Sequence, residues 1–243
     1  MGTRAAGLDA SHDGDVALPP GLADAVRAAK PGYAVFDADG TLWREDVGEA
    51  FLRHLVALGL VKLADGTDPY AAYERAVARD RRTGYAYAAQ LLAGLPAAQI
   101  QAEAARFALT WVPPRIIRST SALLALCAGA GHIVCVVSAS QIDIVRAAVI
   151  QAGIPWSRCA GMETELGPDG RYTAEMVEPI TYGAGKVETA MARGFRPIAV
   201  AGGDSITGDL ALLQAAAVPV VVAADGPTPL SAEAEKRGWF VLS

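Results

Sequence analysis

Asp37 and Asp39 stand one residue apart in the stretch Tyr33-Ala34-Val35-Phe36-Asp37-Ala38-Asp39-Gly40-Thr41. Side chains two positions apart share a face while the backbone stays extended, so both carboxylates can meet one ion. At that spacing they repel unless a cation or a shared proton lies between them. Three further signals recur along the chain: Ser138 after an apolar run, Lys186 at the start of a helical stretch, and Asp204 with Asp209 after another apolar run. Each type has an ordinary role of its own, aspartate and serine as helix caps or turn residues and lysine as a solvated surface charge. Their occurrence in order, each at a strand end or helix start, is what reads as a site.

Phosphoryl transfer calls for such a set. A carboxylate can attack phosphorus and form an acyl phosphate. A second carboxyl can protonate the leaving oxygen and then deprotonate water. A hard cation takes carboxylate oxygens, and Mg²⁺ takes few of them and keeps waters. A lysine and a hydroxyl can offset charge on the non-bridging oxygens.

The elements that would position these residues alternate between β and α. Tyr33–Asp37 is an apolar run without helical period, which predicts a buried strand. Comparable strands are predicted at His132–Val137, Pro197–Ala201 and Val218–Val222, with a short last one at Trp239–Leu242. Helices are predicted over Leu22–Lys30, Ile116–Ala128, Ile142–Ala152, from Lys186 to Ala192, and over Leu210–Ala217. A hairpin is predicted from Gly161–Leu166 and Arg171–Val177 around Gly167-Pro168-Asp169-Gly170. In an open parallel sheet the strand ends gather at one edge, where ligands bind.

Between the first two strands the pattern is helical throughout. Val47, Phe51, Leu55 and Leu58 recur at helical spacing, followed by stretches Tyr70–Arg82, Tyr85–Leu92 and Ala97–Leu109, until Val112-Pro113-Pro114 stops the pattern. A helical block interrupting an α/β pattern predicts an inserted domain. The expected organisation is a flexible segment 1–20, an α/β core from 21–46 and 114–243, and a helical cap at 47–113.

The motifs Asp37-Ala38-Asp39-Gly40-Thr41, Ser138, Lys186, and Gly203-Asp204 with Asp209 resemble the four motifs of the haloacid dehalogenase superfamily of hydrolases. The resemblance implies a Rossmann-like α/β core and an α-helical cap after the first motif, as in phosphoserine-phosphatase-like members. It makes Asp37 the nucleophile and Asp39 the general acid and base. Ser138 and Lys186 would bind the phosphoryl group, with Gly40, Thr41 and Ala139 lining its site. Mg²⁺ would be held by Asp37, Asp204 and the main-chain carbonyl of Asp39, with Ser205 and Asp209 in support. Dehalogenating members lack the second aspartate, so Asp39 points to phosphate esters. Transport ATPases of the superfamily carry threonine there and long membrane segments. Mutases keep both aspartates, so a phosphotransferase stays open, as does a non-catalytic metabolite binder. A nucleotide P-loop at Gly183-Ala184-Gly185-Lys186 does not fit, because Ile180 stands where its first glycine belongs.

Composition narrows the partners. The chain is 52% hydrophobic over 243 residues, ample for one packed domain carrying an insert. The net charge is −5 with no basic block, which points away from nucleic acid and anionic membranes. The three cysteines, Cys127, Cys135 and Cys159, show neither a disulfide framework nor zinc spacing. With no apolar leader in the polar Met1–Pro20 segment, a cytoplasmic enzyme acting on a small phosphorylated metabolite is expected.

Substrate signals diverge. Asp46 lies nine residues after Asp37, where phosphoserine phosphatases carry a carboxylate for the substrate ammonium, and Arg79, Arg81 and Arg82 are candidates for its carboxylate. The fourth motif, Gly203-Asp204-Ser205-Ile206-Thr207-Gly208-Asp209, has four residues between its aspartates. In phosphoserine phosphatases there are usually three; the longer spacing is similar to that of phosphorylcholine phosphatases. Rings for a quaternary ammonium are available at Trp43, Tyr85, Tyr87 and Trp111, so phosphocholine or phosphoethanolamine is the alternative substrate. His12, His54 and His132 are not spaced as metal ligands.

Overall fold

The structure, a computed structural model, describes residues 17–243. His12 and most of the segment expected to be flexible lie outside the described residues. A six-stranded sheet runs in the order β3-β2-β1-β6-β7-β8. Its strands are β1 (Tyr33–Phe36), β2 (Ile133–Gln141), β3 (Cys159–Met162), β6 (Ile198–Gly203), β7 (Val218–Val222) and β8 (Phe240–Leu242). Every pairing in it is parallel. From β1 the chain builds outward on one side through β2 and β3, then returns to the other side of β1 for β6, β7 and β8. That reversal puts a crevice at the C-terminal end of β1.

Alternate residues of the strands feed two apolar layers. Ala34, Phe36, Val134, Val136, Val200 and Val220 belong to one cluster. Val35, Cys135, Val137, Ala201 and Val221 belong to the other. The first layer is covered by α1 (Leu22–Ala28), α6 (Arg118–Gly129) and α7 (Ile142–Gln151), the second by α8 (Ala184–Ala192), α9 (Leu210–Gln214) and α10 (Pro229–Arg237). Gly202 is needed beside β1, because any Cβ there would collide with the Phe36 ring.

Between β1 and β2 come α2 (Val47–Ala57), α3 (Pro69–Arg79), α4 (Arg81–Gln90) and α5 (Ala97–Trp111). The chain leaves and returns through a short antiparallel ribbon. Arg44 N donates to Arg115 O at 2.9 Å, Ile117 N donates to Leu42 O at 3.0 Å, and Trp43 bridges Ile116. The α5 helix packs along α7, and Ile100, Ala104 and Ala108 join the same apolar cluster as Phe36 and Leu123.

Several sequence expectations shift. The helix expected over Tyr70–Arg82 breaks at Asp80, which is extended (φ −156°, ψ 119°) and caps α4 by accepting from Thr83 N at 2.8 Å. The strand expected to end at Val137 continues to Gln141. Gly161 and Met162 leave the expected hairpin and complete β3, whose four residues are all buried. The hairpin is formed by β4 (Thr164–Leu166) and β5 (Tyr172–Met176), which are half exposed. Helix α10 was not foreseen, although Thr228-Pro229 opens it with a capping box and Gly238, at φ +65°, ends it.

At the α3–α4 corner, a Cβ on Gly84 would lie 2.5 Å from the backbone of Val77. Helix propensity alone favours alanine over glycine by about 1 kcal/mol. The close crossing reverses that sign. Gly84→Ala is expected to lower the unfolding free energy by roughly 1–3 kcal/mol, the usual cost of overpacking, as measured by urea denaturation.

Candidate active site

Asp37 follows β1 directly, and its backbone N–H donates to Gly202 O at 2.9 Å, so the neighbouring strand sets its position. Lys186, in the first turn of α8, reaches it from the other side. Its Nζ lies 2.6 Å from Asp37 Oδ1 and 2.6 Å from Asp209 Oδ1. Lys186 is only 1% exposed. The start of α8 comes this close because Gly185 has no side chain; a Cβ there would collide with Ile180 O. Burial disfavours the ammonium, but Asp209 and Asp37 outweigh it and hold Lys186 above the usual lysine range.

Asp209 has both oxygens engaged. Oδ1 takes Lys186, while Oδ2 accepts from Asp204 N at 3.1 Å and Ser205 N at 2.9 Å. It thereby shapes the turn after β6 that carries Asp204. Thr41, fully buried, donates to Asp204 Oδ1 at 3.4 Å. Gly40, at φ +71°, lies so close to Asp204 that a Cβ would strike its carboxylate.

Among the described residues, Asp37, Asp204 and Asp209 bring carboxylate oxygens within 4.8 Å of one another. Burial and then the Asp209 charge push Asp37 well above the usual carboxylate range, against the pull of Lys186. The same two causes push Asp204 up to about 7. Three carboxylates against one ammonium leave an excess of negative charge that resists ionisation. The donors are all oxygens, with no histidine or cysteine, which suits a hard divalent cation such as Mg²⁺.

Asp39 is placed differently. Its Oδ1 accepts from Trp43 Nε1 at 2.8 Å and from Val47 N at 2.7 Å. Its Oδ2 accepts from Ser140 Oγ at 2.7 Å. Burial raises its pKa, and the three donors oppose the rise. Trp43, a candidate ring for a cationic substrate, is fully buried and serves as one of these donors.

A cleft of about 320 Å³ opens over these groups. Of the residues singled out in the sequence, Asp37, Asp39, Gly40, Asp46, Ala139, Lys186, Asp204 and Ser205 line it. Thr41, Ser138 and Asp209 are fully buried behind that lining. Ser138 Oγ accepts from Ser140 N at 3.0 Å, which leaves its own proton to donate. Asp46 caps α2 by accepting from Glu49 N at 2.8 Å while it lines the cleft, and burial followed by the Asp39 charge raises its pKa well above the usual range.

The candidate arginines separate. Arg81 lines the cleft and donates to Thr207 Oγ1 at 3.4 Å, whereas Arg82 pairs with Glu178 and Arg79 faces an outer groove. Of the candidate rings, Tyr85 lines the cleft, with Tyr182 at 5.5 Å between centroids, while Trp111 stacks on Phe107. Tyr182 and Ser140 were not foreseen. Ser140 had a signal: it lies two residues beyond Ser138 at the end of the same apolar run. His54 packs between Phe51 and Phe107, and His132 Nε2 contacts Val26 O at 2.9 Å, both away from the carboxylates.

Residues 34–214 match the family model described as haloacid dehalogenase-like hydrolase. The chain belongs to that family. Among solved structures, this hydrolase is similar to a protein of unknown function from Bordetella pertussis Tohama I, at 19% identity and a TM-score of 0.75, covering 88% of this chain and 99% of that one. It is also similar to a phosphoserine phosphohydrolase-like protein from Francisella tularensis, at 16% identity and a TM-score of 0.57, covering 86% and 94%. A substrate-bound phosphoserine phosphatase complex aligns at 15% identity and a TM-score of 0.54, covering 84% and 90%. At these identities the likeness is one of fold. No curated protein sequence matches the chain.

In this hydrolase Lys186 is the cation that Asp37 and Asp209 share. Lys186→Met is expected to lower the unfolding free energy by about 3–5 kcal/mol, because two buried carboxylates lose their partner. Urea denaturation of the variant against the parent measures it.

Proposed function

We propose that the protein is a Mg²⁺-dependent phosphatase that hydrolyses a small phosphomonoester through an aspartyl phosphate. The observation that carries this reading is the separation of two neighbouring carboxyls into different environments. Asp37 faces the Lys186 ammonium, whereas Asp39 is held by three hydrogen-bond donors. Two carboxyl groups with unlike surroundings suit two roles.

In this mechanism a carboxylate oxygen of Asp37 attacks phosphorus. The bond from phosphorus to the ester oxygen breaks, and that oxygen takes a proton from Asp39. Water then attacks phosphorus, loses a proton to Asp39, and releases phosphate from Asp37. Lys186, the Ser138 hydroxyl, the turn of Gly40 and Thr41, and Ala139 on β2 bind the phosphoryl group. Asp37, Asp204 and the Asp39 carbonyl would hold Mg²⁺, which neutralises charge on the phosphoryl oxygens when bound. Asp209 and Ser205 support that site. The helices over 47–113 act as a cap that excludes bulk water and limits substrate size. A cytoplasmic setting belongs to the same reading and agrees with three buried, unpaired cysteines; no described helix is long and apolar enough to cross a membrane.

The solved neighbours described as phosphoserine phosphatases support an amino-acid phosphate as substrate. A second reading, a phosphocholine- or phosphoethanolamine-type substrate, is favoured by the character of the cleft wall. Asp46 and Tyr85 border both the cleft and an adjoining apolar recess that reaches Glu49 and Tyr73. Carboxylates beside aromatic faces recognise ammonium groups. Arg81 is the guanidinium within this cleft that would meet a substrate carboxylate.

Asp37→Asn is expected to reduce p-nitrophenyl phosphate turnover by at least about 10³-fold while circular dichroism stays unchanged, since covalent catalysis fails without the nucleophile. Full activity in that variant would remove the nucleophile and the mechanism with it. Chelation by EDTA is expected to stop turnover and added Mg²⁺ to restore it, followed by phosphate release. A screen of phosphoserine, phosphocholine, phosphoethanolamine and sugar phosphates, comparing kcat/KM, separates the two substrate readings. Isomer formation on a sugar phosphate without phosphate release would indicate a mutase instead.

A further inference from the structure

We infer that Ser140 is a positioning residue that directs the Asp39 proton toward the leaving oxygen. The inference rests on the phosphatase reading above and adds to it a residue outside the expected motif set. A carboxylate oxygen has two in-plane lone pairs. On Asp39, both lone pairs of Oδ1 are met, by Trp43 Nε1 at 2.8 Å and Val47 N at 2.7 Å. Oδ2 has one partner, Ser140 Oγ at 2.7 Å. The transferable proton therefore rides on the remaining lone pair of Oδ2, and Ser140 fixes where that lone pair points.

The surroundings hold Ser140 to this task. It is 6% exposed and lines the cleft. Its N–H donates to Ser138 Oγ at 3.0 Å, which fixes the backbone. The facing residue, Gly48, leaves room for the hydroxyl: a Cβ there would lie 2.5 Å from Ser140 Oγ. The end of β2 thus supplies two hydroxyls with different duties, Ser138 for the proposed phosphoryl site and Ser140 against Asp39.

In the step concerned, the phosphorus–oxygen bond of the ester breaks and its electron pair stays on the leaving oxygen. The proton from Asp39 Oδ2 bonds to that oxygen, leaving the carboxylate, which Ser140 Oγ–H then stabilises. Protonation matters most when the leaving group is a poor one. An aligned general acid contributes about 10²–10⁴-fold. A misdirected one loses part of that on alkyl phosphates and little on p-nitrophenyl phosphate, whose oxygen leaves without help.

The test compares kcat/KM, which covers the steps through departure of the ester oxygen and not the later hydrolysis shared by all esters, for p-nitrophenyl, phenyl and simple alkyl phosphates in the parent, Ser140→Ala, Ser140→Cys, Asp39→Asn and Asp37→Asn proteins. Ser140→Ala is expected to lose roughly 10-fold or more on the alkyl ester and under about 3-fold on the nitrophenyl ester, a muted form of the Asp39→Asn pattern. Ser140→Cys, close in size and a weaker donor, is expected to fall between alanine and the parent. A uniform loss across the three esters in both Ser140 variants, with circular dichroism and the urea midpoint unchanged from the parent, would overturn the inference, as would no loss at all while Asp39→Asn steepens the dependence. If Asp37→Asn keeps its turnover, the phosphatase reading itself fails, an outcome distinct from these. Because each comparison is made within one protein, partial unfolding of a variant lowers all three rates together and does not imitate the expected pattern.

Discussion

The Lys186 ammonium is buried among carboxylates that come from two different strand ends, and the carboxyl edge of the sheet is arranged around it. Asp37 follows β1 and Asp209 opens α9; the two strands, β1 and β6, are already joined by backbone pairing, and the cation is what holds their two carboxylates together. Burying the three charges is unfavourable on its own; the short ion pairs and the backbone hydrogen bonds of Asp209 offset it. Those backbone bonds fix the turn that carries Asp204. Asp204 is thus placed by the end of β6 and by Asp209, whose other oxygen is held by the lysine.

Close backbone approach is the other condition. Gly40, Gly185 and Gly203 sit where a side chain would meet Asp204, Ile180 or Asp209. These glycines let a strand end, a helix start and a turn converge on the volume of a few atoms. Asp39 escapes this crowding by pointing toward β2 and α2. There Trp43, Val47 and Ser140 receive it, and among the described residues no ammonium pairs with it. Two aspartates one residue apart thus sit in separate electrostatic settings because the chain turns between them, with Leu42 N donating to Ala38 O at 2.7 Å.

Much of this was legible in the sequence, for identifiable reasons. Asp37, Asp39, Lys186 and Asp204 lie at element ends, and element ends are what apolar runs and glycines mark. The parallel sheet followed from the alternation of apolar runs with helical periods. What stayed hidden depends on contacts between distant positions. Ser140 meets Asp39 across 101 positions, and Tyr85 meets Tyr182 only because α4 folds back over β2. The break at Asp80 was masked by continuous helical periodicity on both sides, since one extended residue does not disturb a pattern count. The β3 strand was masked because its apolar residues run straight into the hairpin that follows.

The ribbon of Leu42–Arg44 with Arg115–Ile117 has a consequence for how the chain can change in length. Tyr33 and Ile133 are register partners in adjacent strands, so pairing them closes a loop of about one hundred residues. Each doubling of such a loop costs only about 0.6 kcal/mol in closure entropy. With its two ends already joined by the ribbon, the helical segment can gain or lose turns at its outer corners without shifting the register of β1 against β2. Growth by insertion is therefore cheap at Leu60–Asp68, which is irregular and largely exposed, and costly at Trp43, whose indole is committed to Asp39.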